Sequence, residues 1–139
     1  MLKVYTDGGS RGNPGPAACA FVVFDDAGNL RYKRGKYLGV ATNNEAEYAG
    51  VIEALRYFQP KAGPPLAERD LSVQFFLDSL LVVNQLNGLW KVKEPRLREL
   101  VIQVRSLENG LAVTYSHVPR EQNSQADFLV NETLDGQMR

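Results

Sequence analysis

Lys3-Val4-Tyr5-Thr6-Asp7 alternates and runs into Gly8-Gly9, Ala17 to Phe24 is an apolar run rich in β-formers, and Leu30 to Val40 alternates Tyr with Lys and Arg. Three consecutive stretches with this patterning read as strands. Asp25-Asp26-Ala27-Gly28-Asn29, between the second and third, is dense in turn formers, as a hairpin requires. The chain is therefore expected to open as an antiparallel meander.

Working outward, Thr42 with Glu45 three residues on matches a capping box, and Tyr48, Ile52, Leu55 and Phe58 recur at helical spacing up to Pro60. This predicts a helix from Asn43 to Gln59. Pro60 to Arg69, with its prolines and a glycine, reads as a connector, and Leu71 to Leu77 as a buried strand ending at Asp78. Residues 79–88 read as a helix stopped by Gly88. Pro95 suits the first turn of another helix, whose Leu97, Leu100, Val101, Val104 and Leu107 keep the period up to Asn109-Gly110. Leu111 to Ser116 alternates like a strand, and Asn123 to Leu134 closes as a helix. The order is βββαβααβα. Strands joined through helices pair in parallel, so the expected fold is α/β: a five-stranded mixed sheet, its first three strands antiparallel, the fourth and fifth parallel to the first, with helices on both faces.

Composition sets the frame. A chain of 139 residues that is 44% hydrophobic and 23% charged has the makings of one globular domain over residues 1–139 and excludes disorder, collagen and coiled coil. Its longest apolar run, Ala17 to Phe24, is far short of the roughly 20 residues that cross a bilayer, and Met1-Leu2-Lys3-Val4 carries no apolar export segment. A cytoplasmic protein without a membrane partner is expected. The single cysteine, Cys19, lies in an apolar run and reads as a buried thiol. The 16 basic residues balance the 16 acidic ones, but Arg31, Lys33, Arg34 and Lys36 form one local patch and Lys91, Lys93, Arg96 and Arg98 another. Each patch is either a solvated face or a contact for a polyanion.

Four carboxylates stand in unusual places. Glu47 shares a helical face with Val51, Ala54 and Phe58, and Asp127 lies beside Val130 and Leu134 on the last helix. Asp7 and Asp78 each end an apolar strand. Ligands of open α/β sheets bind at the carboxyl ends of strands, and the first and fourth strands are neighbours where the connectivity changes. Each acid also has a local explanation: Asp7 as a turn former, Glu47 and Asp127 in first helical turns favoured by the dipole, Asp78 as a helix cap. Together, four carboxylates at one sheet end would repel one another unless divalent cations such as Mg²⁺ neutralised them, and two such ions about 3.5–4 Å apart support phosphoryl transfer. The chemical class is a metal-dependent phosphodiesterase.

Around that point lie Gly8 to Gly15, a glycine-rich loop without phosphate-loop or dinucleotide spacing, and Thr42-Asn43-Asn44 at a helix N-terminus suited to phosphate. His117, the sole histidine, follows a strand and precedes Pro119, so it reads as an accessible loop residue able to move protons.

In order along the chain, Tyr5-Thr6-Asp7-Gly8-Gly9-Ser10 with Gly12-Asn13-Pro14-Gly15, Thr42-Asn43-Asn44 with Glu47, Asp78-Ser79, and His117-x5-Asn123-x3-Asp127 together resemble type 1 ribonuclease H. The likeness runs from about Val4 to Leu134. It implies a ribonuclease H-like fold and an endonuclease that cleaves the RNA strand of an RNA–DNA hybrid, leaving 5′-phosphate and 3′-hydroxyl ends. It further implies two Mg²⁺ ions, with Mn²⁺ as a substitute. By motif match Asp7, Glu47, Asp78 and Asp127 would bind metal, with Asp7 shared between the ions, and His117 would assist proton transfer or product release. Asn13, Asn43 and Asn44 would lie along the hybrid's minor groove, where 2′-hydroxyls are displayed. Thr42 would hold a DNA phosphate, Asn123 would be a further substrate contact, and Glu45 remains a capping residue. The hybrid would be the partner of a monomeric protein.

The sequence departs from the family pattern in three respects. Leu80 follows Asp78-Ser79 where several members have Gln. Between Gly88 and Pro95 there is no room for the basic helical handle of some members, although Trp90 with Lys91 and Lys93 offers a smaller aromatic and basic platform. A separate N-terminal hybrid-binding domain is not expected. The competing readings are a non-catalytic hybrid- or duplex-binding module and a different nuclease on the same fold, since fold alone does not give activity.

Overall fold

In a computed structural model, which describes residues 1–59 and 71–137, the opening meander forms as β1 (Leu2–Ser10), β2 (Gly15–Phe24) and β3 (Leu30–Ala41), antiparallel in sequence. The predicted connector Pro60 to Arg69 lies outside the described residues. Strand β1 does not stop at Gly8-Gly9: Gly8 pairs with Cys19, Gly9 with Ala18 and Ser10 with Ala17, so the strand carries Asp7 inside it. Helix α1 (Asn43–Tyr57) starts at the expected capping box. The Thr42 hydroxyl accepts from the Glu45 N–H (3.1 Å) and the Thr42 N–H donates to Glu45 Oε1 (3.0 Å).

Strand β4 (Leu71–Leu77) pairs parallel with β1, and β5 (Leu111–His117) parallel with β4, giving the sheet order β3-β2-β1-β4-β5. Between them run α2 (Leu80–Leu86) and α3 (Pro95–Leu107). A single 3₁₀ turn at Arg120–Gln122 leads into α4 (Ser124–Gln137), which starts one residue later and ends three residues later than the sequence predicts. His117 is the last residue of β5, in register with Leu77, rather than part of the following loop: the Val118 N–H still donates to the Leu77 carbonyl (2.9 Å).

Helices cover both faces. On one, α1, α2 and α3 pack Tyr48, Val51, Leu55, Val82 and Leu100 against Val4, Phe21, Phe75 and Leu77. On the other, α4 sets Ala126, Leu129, Val130 and Leu134 on Ala18, Ala20 and Val22. Cys19 is buried as expected, and burial pushes its thiol up to about 12. The first basic patch lies on edge strand β3, where charge guards against sheet extension, and Lys36 is ion-paired with the buried Glu53. Among the described residues no helix is long and apolar enough to cross a membrane.

The contact that positions the site is glycine on both sides. A Cβ at Gly8 of β1 would lie 2.1 Å from the Ala46 carbonyl oxygen of α1, and one at Gly50 would lie 2.9 Å from the Asp7 carbonyl oxygen. Gly8→Ala must therefore push α1 off the sheet, whereas nothing lies within 4 Å of a Cβ at Gly136 in α4. Thermal melts should show Gly8→Ala destabilised by about 1–3 kcal/mol, as overpacking is, and Gly136→Ala unchanged or more stable, because alanine is the better helix former.

Candidate active site

The close approach of α1 to β1 sets Glu47, one turn into the helix, against Asp7, and the parallel pairing of β4 with β1 brings Asp78 to the same sheet end. One oxygen from each of Asp7, Glu47 and Asp78 lies within 4.8 Å of the others. Asp78 is free for this because the next residue, Ser79, caps α2 by accepting from the Val82 N–H (3.3 Å). The three acids open into a cleft of about 430 Å³, also lined by Gly8, Gly9, Ser10, Asn43 and Asn44. Asp127, in the first turn of α4, lines the same cleft but stands outside the three-carboxylate group.

Asp7 and Glu47 are only 6% and 8% exposed, and this shapes their chemistry. Burial, then the charge of Asp78, pushes Asp7 up from 3.8 to about 7, against the opposing hydrogen bonds from Glu47 and the Gly8 N–H. Burial, then the charges of Asp7 and Asp78, holds Glu47 well above the usual carboxylate range. Glu47 Oε2 is buried without a hydrogen-bond partner. An orphaned carboxylate oxygen beside two more carboxylates is a donor set for a hard, oxygen-seeking divalent cation.

The neighbouring polar residues are tied to one another. The Asn43 N–H donates to Asn13 Oδ1 (2.9 Å), and Asn43 Oδ1 accepts from the Ser10 N–H (2.9 Å) and hydroxyl (3.2 Å). These bonds pin the β1–β2 turn to the start of α1. Asn123, expected at the substrate, is instead 1% exposed and bonded inside the protein. Trp90, Lys91 and Lys93 are exposed between α2 and α3, and none of them lines the acidic cleft; His117, also exposed, does not line it either. Arg96 of the second patch pairs with Glu45 (3.1 Å), and the Arg98 side chain donates to the Val92 carbonyl (2.7 Å). Sequence reasoning passed over Arg11, Arg120 and Asn131, all of which line the cleft. The available signal for Arg120 was a basic residue in the short stretch between His117 and Asn123.

The reverse transcriptase-like family model matches residues 5–133. The crystal structure of LC11-RNase H1 in complex with an RNA/DNA hybrid superposes with a TM-score of 0.89 at 38% identity, covering 100% of both chains. The RNase H1 structure from Halobacterium salinarum gives 0.85 at 39%, covering 97% of this chain and 98% of that one. The chain belongs to the type 1 ribonuclease H family. Among full-length relatives, ribonuclease HI of Halobacterium salinarum is 41% identical over 135 residues, which are 96% of this chain and 64% of the relative. A bifunctional protein of Mycobacterium tuberculosis is 40% identical over 136 residues, again 96% of this chain but 35% of its own length. The chain thus spans less than two thirds of these ribonuclease H relatives. The family's mixed five-stranded sheet agrees in strand order and direction with the one observed.

The raised carboxylates give the metal-free protein a signed pH dependence. Between the ordinary value near 3.8 and about 7 the folded state holds a proton at Asp7 that the unfolded state has released. Stability is therefore present at low pH and falls as pH rises through that window, by on the order of a few kcal/mol. In EDTA, the Tm should drop between about pH 4 and about pH 7, and Asp78→Asn, by removing one like charge, should flatten the drop and raise the Tm at the upper end by roughly 3–5 °C.

Proposed function

We propose that this chain is a divalent-cation-dependent endonuclease that hydrolyses the RNA strand of RNA–DNA hybrids, leaving 5′-phosphate and 3′-hydroxyl ends. The observation that carries this reading is the convergence of buried Asp7 and Glu47 with Asp78 at the mouth of an open cleft, an arrangement that works against folding and so calls for a function. Its support from relatives is an RNase H1 crystallised with an RNA/DNA hybrid, of which this chain covers the full length.

Asp7, Glu47 and Asp78 would hold Mg²⁺, and Asp127 on the same cleft would complete a set for two ions, with Mn²⁺ able to substitute. Bound there, Mg²⁺ supplies Lewis-acid polarisation of the scissile phosphate and activation of a water. The protein's own groups do the rest. Burial and mutual repulsion raise the proton affinities of Asp7 and Glu47, so a cation that compensates their charge favours the fully anionic site. Arg11 and Arg120 line the cleft with donors suited to phosphate oxygens. At the N-terminus of α1, the Thr42 hydroxyl and the side-chain amides of Asn43 and Asn44 would serve as donors to the hybrid, and Asn13, which accepts from the Asn43 N–H, keeps that edge in place. Trp90, 46% exposed, with Lys91 and Lys93 would bear on the hybrid's backbone farther out. His117 would deliver a proton to the leaving 3′-oxygen from the end of β5, beside the turn that carries Asp78.

Matched RNA–DNA, DNA–DNA and RNA–RNA duplexes, each incubated with Mg²⁺ or EDTA, test the reading. Cleavage confined to the RNA strand of the hybrid and abolished by EDTA is expected; binding without cleavage in both Mg²⁺ and Mn²⁺ would make the chain a non-catalytic module. On the same hybrid, Asp7→Asn should be inactive. His117→Ala should retain activity about 10²–10⁴-fold below the parent, as loss of a proton-transfer group does, with an unchanged Tm.

A further inference from the structure

Asn123, 1% exposed, is buried beside the cleft, and its bonds go to the segments that carry three of the four acids. Its side-chain Nδ2 donates to the Thr6 carbonyl (2.8 Å), the residue before Asp7, and to Asp78 Oδ2 (3.2 Å). Its backbone is held as well: its N–H donates to the Arg120 carbonyl (2.9 Å), and its carbonyl accepts from the Asp127 N–H (3.1 Å). One residue thus joins β1, the turn after β4 and the first turn of α4. Asn123 Oδ1 is buried without a partner, so the amide is oriented by its two donor bonds. Among the described side-chain hydrogen bonds, the one from Asn123 is the one Asp78 accepts.

We propose that Asn123 is a positioning residue that holds the Asp78 carboxylate at the angle at which it can share a cation with Asp7 and Glu47. Asp78 sits on a turn and has a rotatable side chain, and its neighbour Ser79 is committed to capping α2. Without the amide, nothing else described fixes its rotamer, and the half-buried carboxylate is free to turn outward toward water, where its charge is better solvated. The amide also bridges β1 and the turn after β4, just past the last paired residues of the two strands, Tyr5 and Phe76. Hydrogen bonds to ligating groups are worth about 10–100-fold in metal affinity or activity, since they remove the cost of orienting the ligand at the moment of binding. This role differs from the substrate contact that the motif implies, because a side chain 1% exposed cannot reach a nucleic acid.

The proposal rests on the cluster being a cation site, and its test is separable from hydrolysis. Mg²⁺ affinity is measured by titration calorimetry and by the Mg²⁺-induced rise in Tm, and kcat and KM on the hybrid are measured at several Mg²⁺ concentrations. For Asn123→Ala, Mg²⁺ affinity should fall about 10–100-fold and kcat should fall with it, partly restored by raised Mg²⁺, while KM for the hybrid stays within about twofold of the parent. Asn123→Ser, which keeps a small donor beside the Thr6 carbonyl, should lie between the two and serves if the alanine variant does not fold. Unchanged Mg²⁺ affinity in a folded variant overturns the proposal, whether KM rises, as for a substrate contact, or only the Tm drops, as for a structural residue. Failure of both variants to fold overturns it as well. Should the parent bind Mg²⁺ but cleave no duplex, the proposed function fails while the affinity comparison still decides the role of Asn123.

Discussion

Backbone-to-backbone packing of α1 on β1 at Gly8 is the constraint on which the rest of the site depends. Ala46, Gly50 and Ala54 form a stripe of small residues along α1, and Gly8 offers no side chain beneath it, so the helix lies against the strand at a distance that any Cβ at Gly8 would forbid. That proximity has two effects. It seals the apolar layer between helix and sheet, with Tyr48, Val51 and Leu55 fully buried, and it forces Glu47 onto Asp7 in surroundings that water hardly reaches. Stability and electrostatic conflict come from the same contact.

The fold supports that conflict from several directions. The Thr42–Glu45 box fixes where α1 begins, and with it the azimuth of Glu47. The bonds among Ser10, Asn13 and Asn43 fasten the β1–β2 turn to that same end. Ser79 takes the capping role that Asp78 would otherwise fill. The large apolar core on the α1 face offsets the cost of two buried acids, and the Tyr48 hydroxyl, donating to Gln85 Oε1 (2.5 Å), ties α1 to α2 within it.

The meander, the α1 cap and the parallel crossovers are legible in the sequence because each follows from local periodicity and short-range capping. The convergence of Asp7, Glu47 and Asp78 is legible too, since an acid on an apolar stripe and acids at strand ends are anomalies that a sheet switch point reconciles. Depth is not legible. Asn123 reads as the start of the last helix and, by the motif, as a substrate contact, and only the tertiary path through the 3₁₀ turn at Arg120–Gln122 folds it inward onto Thr6 and Asp78. Nor does local pattern show that β1 continues through Gly8-Gly9, because glycine pairs signal turns unless a helix packs on them. The place of Arg120 on the cleft is likewise set by that turn rather than by any period in the sequence. The first basic patch has the opposite history: its composition suits a polyanion, yet its place on the edge strand and the ion pair between Lys36 and Glu53 give it a structural task.

The central claim is that packing raises the proton affinities of Asp7 and Glu47, so that a cation binding between them displaces protons. Calorimetric Mg²⁺ titrations at about pH 6.5, in buffers of differing ionisation enthalpy, count the protons released on binding, because carboxylates must be deprotonated to act as ligands. The account predicts net proton release by the parent protein that declines as pH rises above the value near 7 at which Asp7 titrates, and that is smaller in Asp7→Asn. Mg²⁺ binding with no proton release at any pH, or no Mg²⁺ binding at all, would contradict it.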